Sequence, residues 1–304
     1  MLLNRSMRVA RTVTALVMSL VLLHARFDAS AGDIRPTVPL PAESAGWDRV
    51  VDGLITALDH ADVLVLGEVH RRKVDGELRA RLVRHPEFAR RVRFVVCEGV
   101  DTETQRILDR YVDGGDVSDS EMQAIARVGP TFTDLFAAIR DVNRSSAARD
   151  RVRVLGGRDA DDRKNWDAWS VERIRDQVLS TKQKALVVYG AGHVWRSHGE
   201  ITQRLERLIP GRVFVAETLT NFAPKGRGQA PPEYTALGRA IGTLDAALQT
   251  RERPVLVLLG KSPRIAALPA DPFYLGQAMF GPDVTLGDID DAIVSFGANA
   301  EAGL

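Results

Sequence analysis

Two glutamates and two histidines stand where they could do chemistry. Glu68 and His70 lie in Gly67-Glu68-Val69-His70, Glu98 in Cys97-Glu98-Gly99, and His193 in Gly190-Ala191-Gly192-His193. Each group directly follows a short apolar run. Two imidazoles and two carboxylates make a plausible ligand set for Zn, Mn, Co or Fe, with His70, Glu98 and His193 as candidate metal ligands. They make an equally plausible acid–base set for activating water, with Glu68, His70, Glu98 and His193 as candidate catalytic residues. Composition and spacing leave both open. Taken singly, each residue has a plainer role, as a carboxylate at a helix N-terminus or a hydrogen-bonded histidine at a strand end. Their recurrence at equivalent positions favours one shared site.

The elements that must position them alternate regularly. Short apolar runs at 63–66, 94–97, 152–155, 185–189, 213–216 and 255–259 read as buried strands, with 292–296 as a further candidate. Between them lie helical faces: Trp47, Val50, Val51, Leu54, Ile55 and Leu58; Phe132, Leu135, Phe136 and Ile139; Ile201, Leu205 and Leu208; Leu237, Ile241, Leu244 and Leu248. Ser118 and Glu121 form a capping box. Strands apolar throughout and separated by amphipathic helices predict an α/β fold. Its sheet should be mostly parallel, with helices on both faces and the site at the carboxyl ends of the strands. Glycines at those ends, including Gly156-Gly157 after the third strand, suit close backbone approach or positive φ. The irregular stretch 220–232, rich in proline and glycine, is a candidate lid.

The chain has 304 residues, 45% of them hydrophobic and 27% charged, which suffices for a real core. Arg5, Arg8 and Arg11 precede an apolar run at 13–23, and Ala29-Ser30-Ala31 supplies a small-x-small cleavage pattern, so residues 1–31 are expected to be a signal peptide. Its apolar run is about half of the ~20 residues a membrane span requires, so no transmembrane helix is expected after cleavage. Residues 32–46 read as an extended leader and 47–304 as one α/β domain. The product is expected to be exported, periplasmic or secreted, with no lipobox cysteine. Removing four arginines and one acid leaves 37 basic against 39 acidic residues, which gives no support for a nucleic-acid partner.

Other motifs are weaker. Gly190-Ala191-Gly192 opens like a dinucleotide fingerprint, but Trp195 occupies the third glycine position. No Gly-x-Ser-x-Gly elbow occurs. Cys97, the single cysteine, reads as a small buried hydrophobe and excludes an intramolecular disulfide. Between His70 and Arg93 nine basic residues face three acids, a bias that reads mostly as a solvated helix face in a chain of 35 Arg and six Lys. Arg71 and Arg72 are the exceptions, because they follow His70 at the site mouth. Trp166, Trp169, Ile174 and Val178 read as one core face of a helix.

The motifs Gly67-Glu68-Val69-His70, Glu98-Gly99 and Tyr189-Gly190-Ala191-Gly192-His193-Val194 followed by Gly199 resemble the superfamily that joins ChaN-like haem-binding proteins, Tiki-type proteases and erythromycin esterases. The resemblance runs from about residue 63 to 219 and includes Arg163–Trp166. Its overall pattern favours the ChaN-like branch. The Tiki resemblance implies a metal-dependent protease using His70, Glu98 and His193. The esterase resemblance implies water activation by the equivalent Glu and His residues. The ChaN-like resemblance implies an exported protein of iron uptake that binds haem through other residues, for which His198, Tyr189, Tyr234 and Tyr274 are the candidates. The leading expectation is thus a metal-assisted or His/Glu-assisted hydrolase acting on a small-molecule or peptide ligand. The alternative is a haem-binding carrier without catalysis.

Overall fold

A computed structural model of the chain describes residues 46–158, 166–197, 199–218, 254–268, 270, 280 and 283–296. The expected signal peptide, nearly all of the leader, the helical face at 237–248 and the candidate lid at 220–232 lie outside the described residues.

Seven strands form one sheet in the order β3-β2-β4-β1-β5-β7-β6. They are β1 (Val63–Glu68), β2 (Val92–Cys97), β3 (Arg153–Gly156), β4 (Lys184–Gly190), β5 (Val213–Thr218), β6 (Val255–Leu258) and β7 (Ala292–Ser295). All neighbouring pairs are parallel except β6 with β7. The expected α/β fold with a mostly parallel sheet is therefore what forms, and the candidate strand near residue 292 is its seventh member. Burial fixes these segments as strands. A fully buried Val or Leu contributes about 1.5–3 kcal/mol, more than the ~1 kcal/mol span of strand propensity, and every residue of β1 is buried.

Side chains alternate between two cores, as the strand period requires. On one face Leu64, Leu66, Val95, Cys97, Leu186 and Val188 pack against α1 (Trp47–Ala57), α2 (Lys73–Arg84), α4 (Thr102–Val112) and α6 (Pro130–Arg144). On the other, Val63, Val65, Phe94, Val96, Val187 and Tyr189 pack against α7 (Trp166–Arg173) and α8 (Glu200–Leu208). Further helices are α3 (Phe88–Arg91), which leads into β2, α5 (Asp119–Val128), which precedes α6, and two single turns at Pro263–Ala266 and Leu286–Ile289 near the end of the described chain.

The capping box at the start of α5 is present: Ser118 Oγ accepts from Glu121 N–H, and Glu121 Oε2 accepts from Ser118 N–H at 2.8 Å. Gly129, at φ 153°, then turns the chain from α5 into α6 in a conformation that favours glycine. The strand-end glycines are different. None is among the positive-φ residues, and at Gly156, Gly157 and Gly190 close approach is what the missing side chain allows. A Cβ on Gly156 would lie 2.5 Å from the Val100 carbonyl oxygen.

Two expectations are corrected. Trp166 and Trp169 are only half-buried and lie under the guanidinium groups of Arg158 and Arg173. The apolar face of that segment is carried by Val171, Ile174 and Val178, where the helix widens into a π turn over Ile174–Val178. The arginine-rich α2 is also not simply a solvated face, since Arg79 is fully buried, and Arg72, expected at the site mouth, is nearly buried against Asp75.

Candidate active site

The parallel register sets the site. Glu68 ends β1 level with Gly190 of β4, and Cys97 of β2 is level with Val188. Glu98 N–H continues the ladder to the Val188 carbonyl at 3.2 Å. Glu68, Glu98 and His193, from three adjacent strands, thus meet at one end of the sheet, with His70 two residues beyond β1.

Each imidazole is held by a carboxylate at Nδ1. His70 Nδ1 lies 2.9 Å from Glu68 Oε1. His193 Nδ1 lies 2.9 and 3.0 Å from the two Asp167 oxygens. An ionised carboxylate only accepts, so each Nδ1 carries the proton and a neutral ring presents its lone pair at Nε2. Both Nε2 atoms face Glu98, His70 at 4.0 Å from Oε2 and His193 at 3.7 Å from Oε1. Glu98 Oε2 also accepts the Gly190 N–H at 2.8 Å, which fixes the carboxylate between the rings. These gaps exceed a hydrogen bond and suit a bridging water or substrate atom.

The two dyads differ in charge. Glu68 is buried and its Oε2 pairs with the Arg79 guanidinium, which also donates to the Thr131 carbonyl at 3.3 Å and lies over the Phe132 ring. Burial lowers the Arg79 pKa to about 10, which leaves it charged at neutral pH. Asp167 has no cation beside His193 among the described residues. The Asp167 hydrogen bond, outweighing partial burial, holds the His193 pKa above its usual value. Tyr189 packs edge-on against the His193 ring at 5.9 Å between centroids.

The site opens into a cleft of about 580 Å³ lined by Glu68, His70, Arg71 and Glu98 on one side and by Val128 and Phe132 on the other. Glu68 is buried while the His70 side chain is 62% exposed, so the imidazole is the accessible end of its dyad. Behind the site, Trp195 Nε1 donates to Glu217 at 2.9 Å, and Asp75 accepts from Arg72 and from Thr218.

All four expected residues are brought together, Glu68 through its contact with His70. Asp167 and Arg79 were missed by sequence reasoning. Asp167 lies in the first turn of a helix, and only its pairing with a histidine 26 residues away marks it. Arg79 is one arginine in a chain full of them. Cys97 is buried, and burial pushes its thiol up to about 12, as befits a core residue.

The expected metal ligands His70, Glu98 and His193 do not close around an ion. Zinc bonds of ~2.0–2.2 Å place tetrahedral ligand atoms roughly 3.3–3.6 Å apart, less than the 3.7 and 4.0 Å found. Among the described residues no three His, Cys, Asp or Glu side chains form a metal-holding group. Of the haem-ligand candidates, Tyr189 is fully buried, donates to the Gly157 carbonyl at 2.8 Å and contacts Ser170, and burial keeps its phenol protonated. His198, Tyr234 and Tyr274 lie outside the described residues.

No family model matches the chain, and no curated protein matches it. Solved structures do. A succinoglycan biosynthesis protein shares 11% identity over 87% of this chain and 93% of its own, with a TM-score of 0.51. A Bacillus cereus protein shares 13% over 83% and 92%, at 0.49. ChaN of Campylobacter jejuni, described with cofacially bound haem, shares 14% over 59% and 87%, at 0.35. The kinship is one of fold. At these identities the likeness is one of architecture alone, and the chemistry has to come from the site. No helix among the described residues is long and apolar enough to cross a membrane.

Proposed function

We propose that the chain is a hydrolase that activates water between Glu98 and two oppositely poised imidazoles. The observation that carries this is the pair of carboxylate-bound histidines whose Nε2 atoms flank one carboxylate. Glu68 holds His70 by Nδ1 and shares its charge with Arg79, which leaves the exposed His70 ring with its Nε2 lone pair toward Glu98 and assigns it the role of proton acceptor. The Asp167 hydrogen bond holds the His193 pKa above its usual value, so His193 is the ring assigned to be an imidazolium and to give a proton.

In this scheme water bridges Glu98 and His70. His70 Nε2 removes one of its protons as the oxygen attacks an acyl carbon, while Glu98 orients the other proton. His193 Nε2 protonates the departing oxygen or nitrogen. The chain's own groups suffice for each transfer, and no step passes through a metal.

The test is hydrolysis of p-nitrophenyl esters and of a peptide library by the wild type, His70→Ala, His193→Ala and Glu98→Gln, before and after dialysis against chelator. Activity that survives chelation and falls at least a hundredfold in each variant is expected, in line with general acid–base contributions of about 10²–10⁴. Activity lost on chelation would replace this scheme with a metal-assisted one, and activity unchanged in the variants would end it. The same preparation titrated with hemin checks the carrier alternative through its Soret band. We also propose export through the N-terminal segment. Expression with that segment intact should then yield a product starting at Gly32, and a cell-associated product retaining residues 1–31 would refute it.

A further inference from the structure

We infer that the substrate of this site carries an oxyanion, a carboxylate or a phosphate, which Arg71 and Lys73 bind at the mouth of the cleft. This deepens the hydrolase reading and rests on it for the reaction, though not for the binding.

The charge bookkeeping of one segment points there. Between His70 and Arg93, Arg72 pairs with Asp75, Arg79 with Glu68, Arg81 with Glu77, Arg84 with Asp141, Arg90 with Glu87, Arg91 with Asp59 and Arg93 with Asp150. Arg71 and Lys73 are exposed, and among the described residues no carboxylate pairs with either. The two cations left over are the two beside His70.

Three further features coincide at this place. Arg71 has φ 69°, a left-handed conformation that non-glycine side chains rarely adopt and that is retained where the surroundings impose it. Arg71, Pro130 and Thr131 line both the catalytic cleft and a neighbouring one of about 830 Å³, so the two form a continuous groove with Arg71 at the seam. The second cleft carries Lys73, Arg81 and Arg84 against the carboxylates of Glu77, which is paired with Arg81, and Asp134. Finally, α2 and α6 both begin at this seam, and neither has a side-chain cap. Their N-terminal N–H groups add partial positive charge next to the two cations. A substrate with its scissile bond at His70 and Glu98 would lay an anionic group along this seam.

The experiment reads binding without turnover. The full chain at low ionic strength is treated with phenylglyoxal, and modification is mapped by peptide mass spectrometry. Inorganic phosphate and succinate serve as separate probes, sodium chloride at matched ionic strength is the control, and Arg49, exposed and outside both clefts, is the internal reference. Slowing of Arg71 modification fivefold or more by phosphate, by succinate or by both is expected, with Arg49 unaffected. The effective probe identifies phosphate or carboxylate as the group recognised. Lys73→Ala should weaken the protection, while Glu98→Gln should keep it. Arg71 unprotected by either probe, or protected equally by chloride, would overturn the inference. Protection without any ester or peptide hydrolysis would remove the hydrolase reading and leave the anion site. Hydrolysis without protection would do the reverse.

Discussion

Asp167 grips His193 Nδ1 with both carboxylate oxygens, at 2.9 and 3.0 Å, from a different face of the site than the one that supplies Glu68 to His70. The first consequence is a pH dependence. Because the folded pKa of His193 lies above its ordinary value of 6.5, the stability from this contact is fully present below about 6.5 and is lost as pH rises through the folded value. As a proton donor His193 fails in the same upper range. Asp167→Asn should therefore move the basic limb of the pH–rate profile to lower pH, and NMR titration of the His193 ring should show the same downward shift. An unmoved limb would remove His193 from the donor role.

Arg79 and Glu68 form a buried ion pair, and removing one partner strands the other. Arg79→Ala should lower unfolding stability by about 3–5 kcal/mol, read by denaturant titration. The double variant Arg79→Met/Glu68→Gln should recover much of that loss, because it takes both charges out of the interior. It should not recover activity, since His70 then lacks its ionised partner.

Gly190 makes room for the chemistry. Its φ of −56° suits any residue, but a Cβ there would lie 3.0 Å from His70 Nε2 and 3.4 Å from Glu98 Oε2. Gly190→Ala should change stability by less than about 1 kcal/mol and reduce kcat/KM about tenfold or more. Gly192→Ala is the control, because its Cβ would come no nearer than 4.0 Å to the Trp195 ring. Equal effects of the two substitutions would count against a crowded catalytic gap.

Arg71 spends backbone energy on its position. Arg71→Gly should relieve about 1 kcal/mol of left-handed strain, offset in part by the added freedom of the unfolded chain, and so should not lower the melting temperature. It should at the same time reduce turnover of anionic substrates relative to neutral ones. A variant that lost stability and discriminated as before would mean the turn, and not the guanidinium, is what Arg71 provides.

The sheet was legible because burial writes it directly into the sequence: runs such as Val63 to Leu66 have no polar residue to place outside. Glu68, His70, Glu98 and His193 were legible because each follows such a run immediately. Asp167 and Arg79 were not, since a carboxylate in a first helical turn and an arginine on a helix look alike whether they face water or a site. Trp166 and Trp169 misled for a related reason. Helical spacing places a residue on a face without saying whether that face meets the core or an arginine.

Strand β4 lies between β1 and β2 although it comes after both in the chain. Until residues 184–190 are in place, the strands bearing Glu68 and Glu98 have no common neighbour, and Gly190 cannot hold the Glu98 carboxylate. Pairing across more than a hundred residues is slow to nucleate. The strand that joins the two acids is thus the same one that delivers His193, so a single pairing event brings three of the four groups into one site.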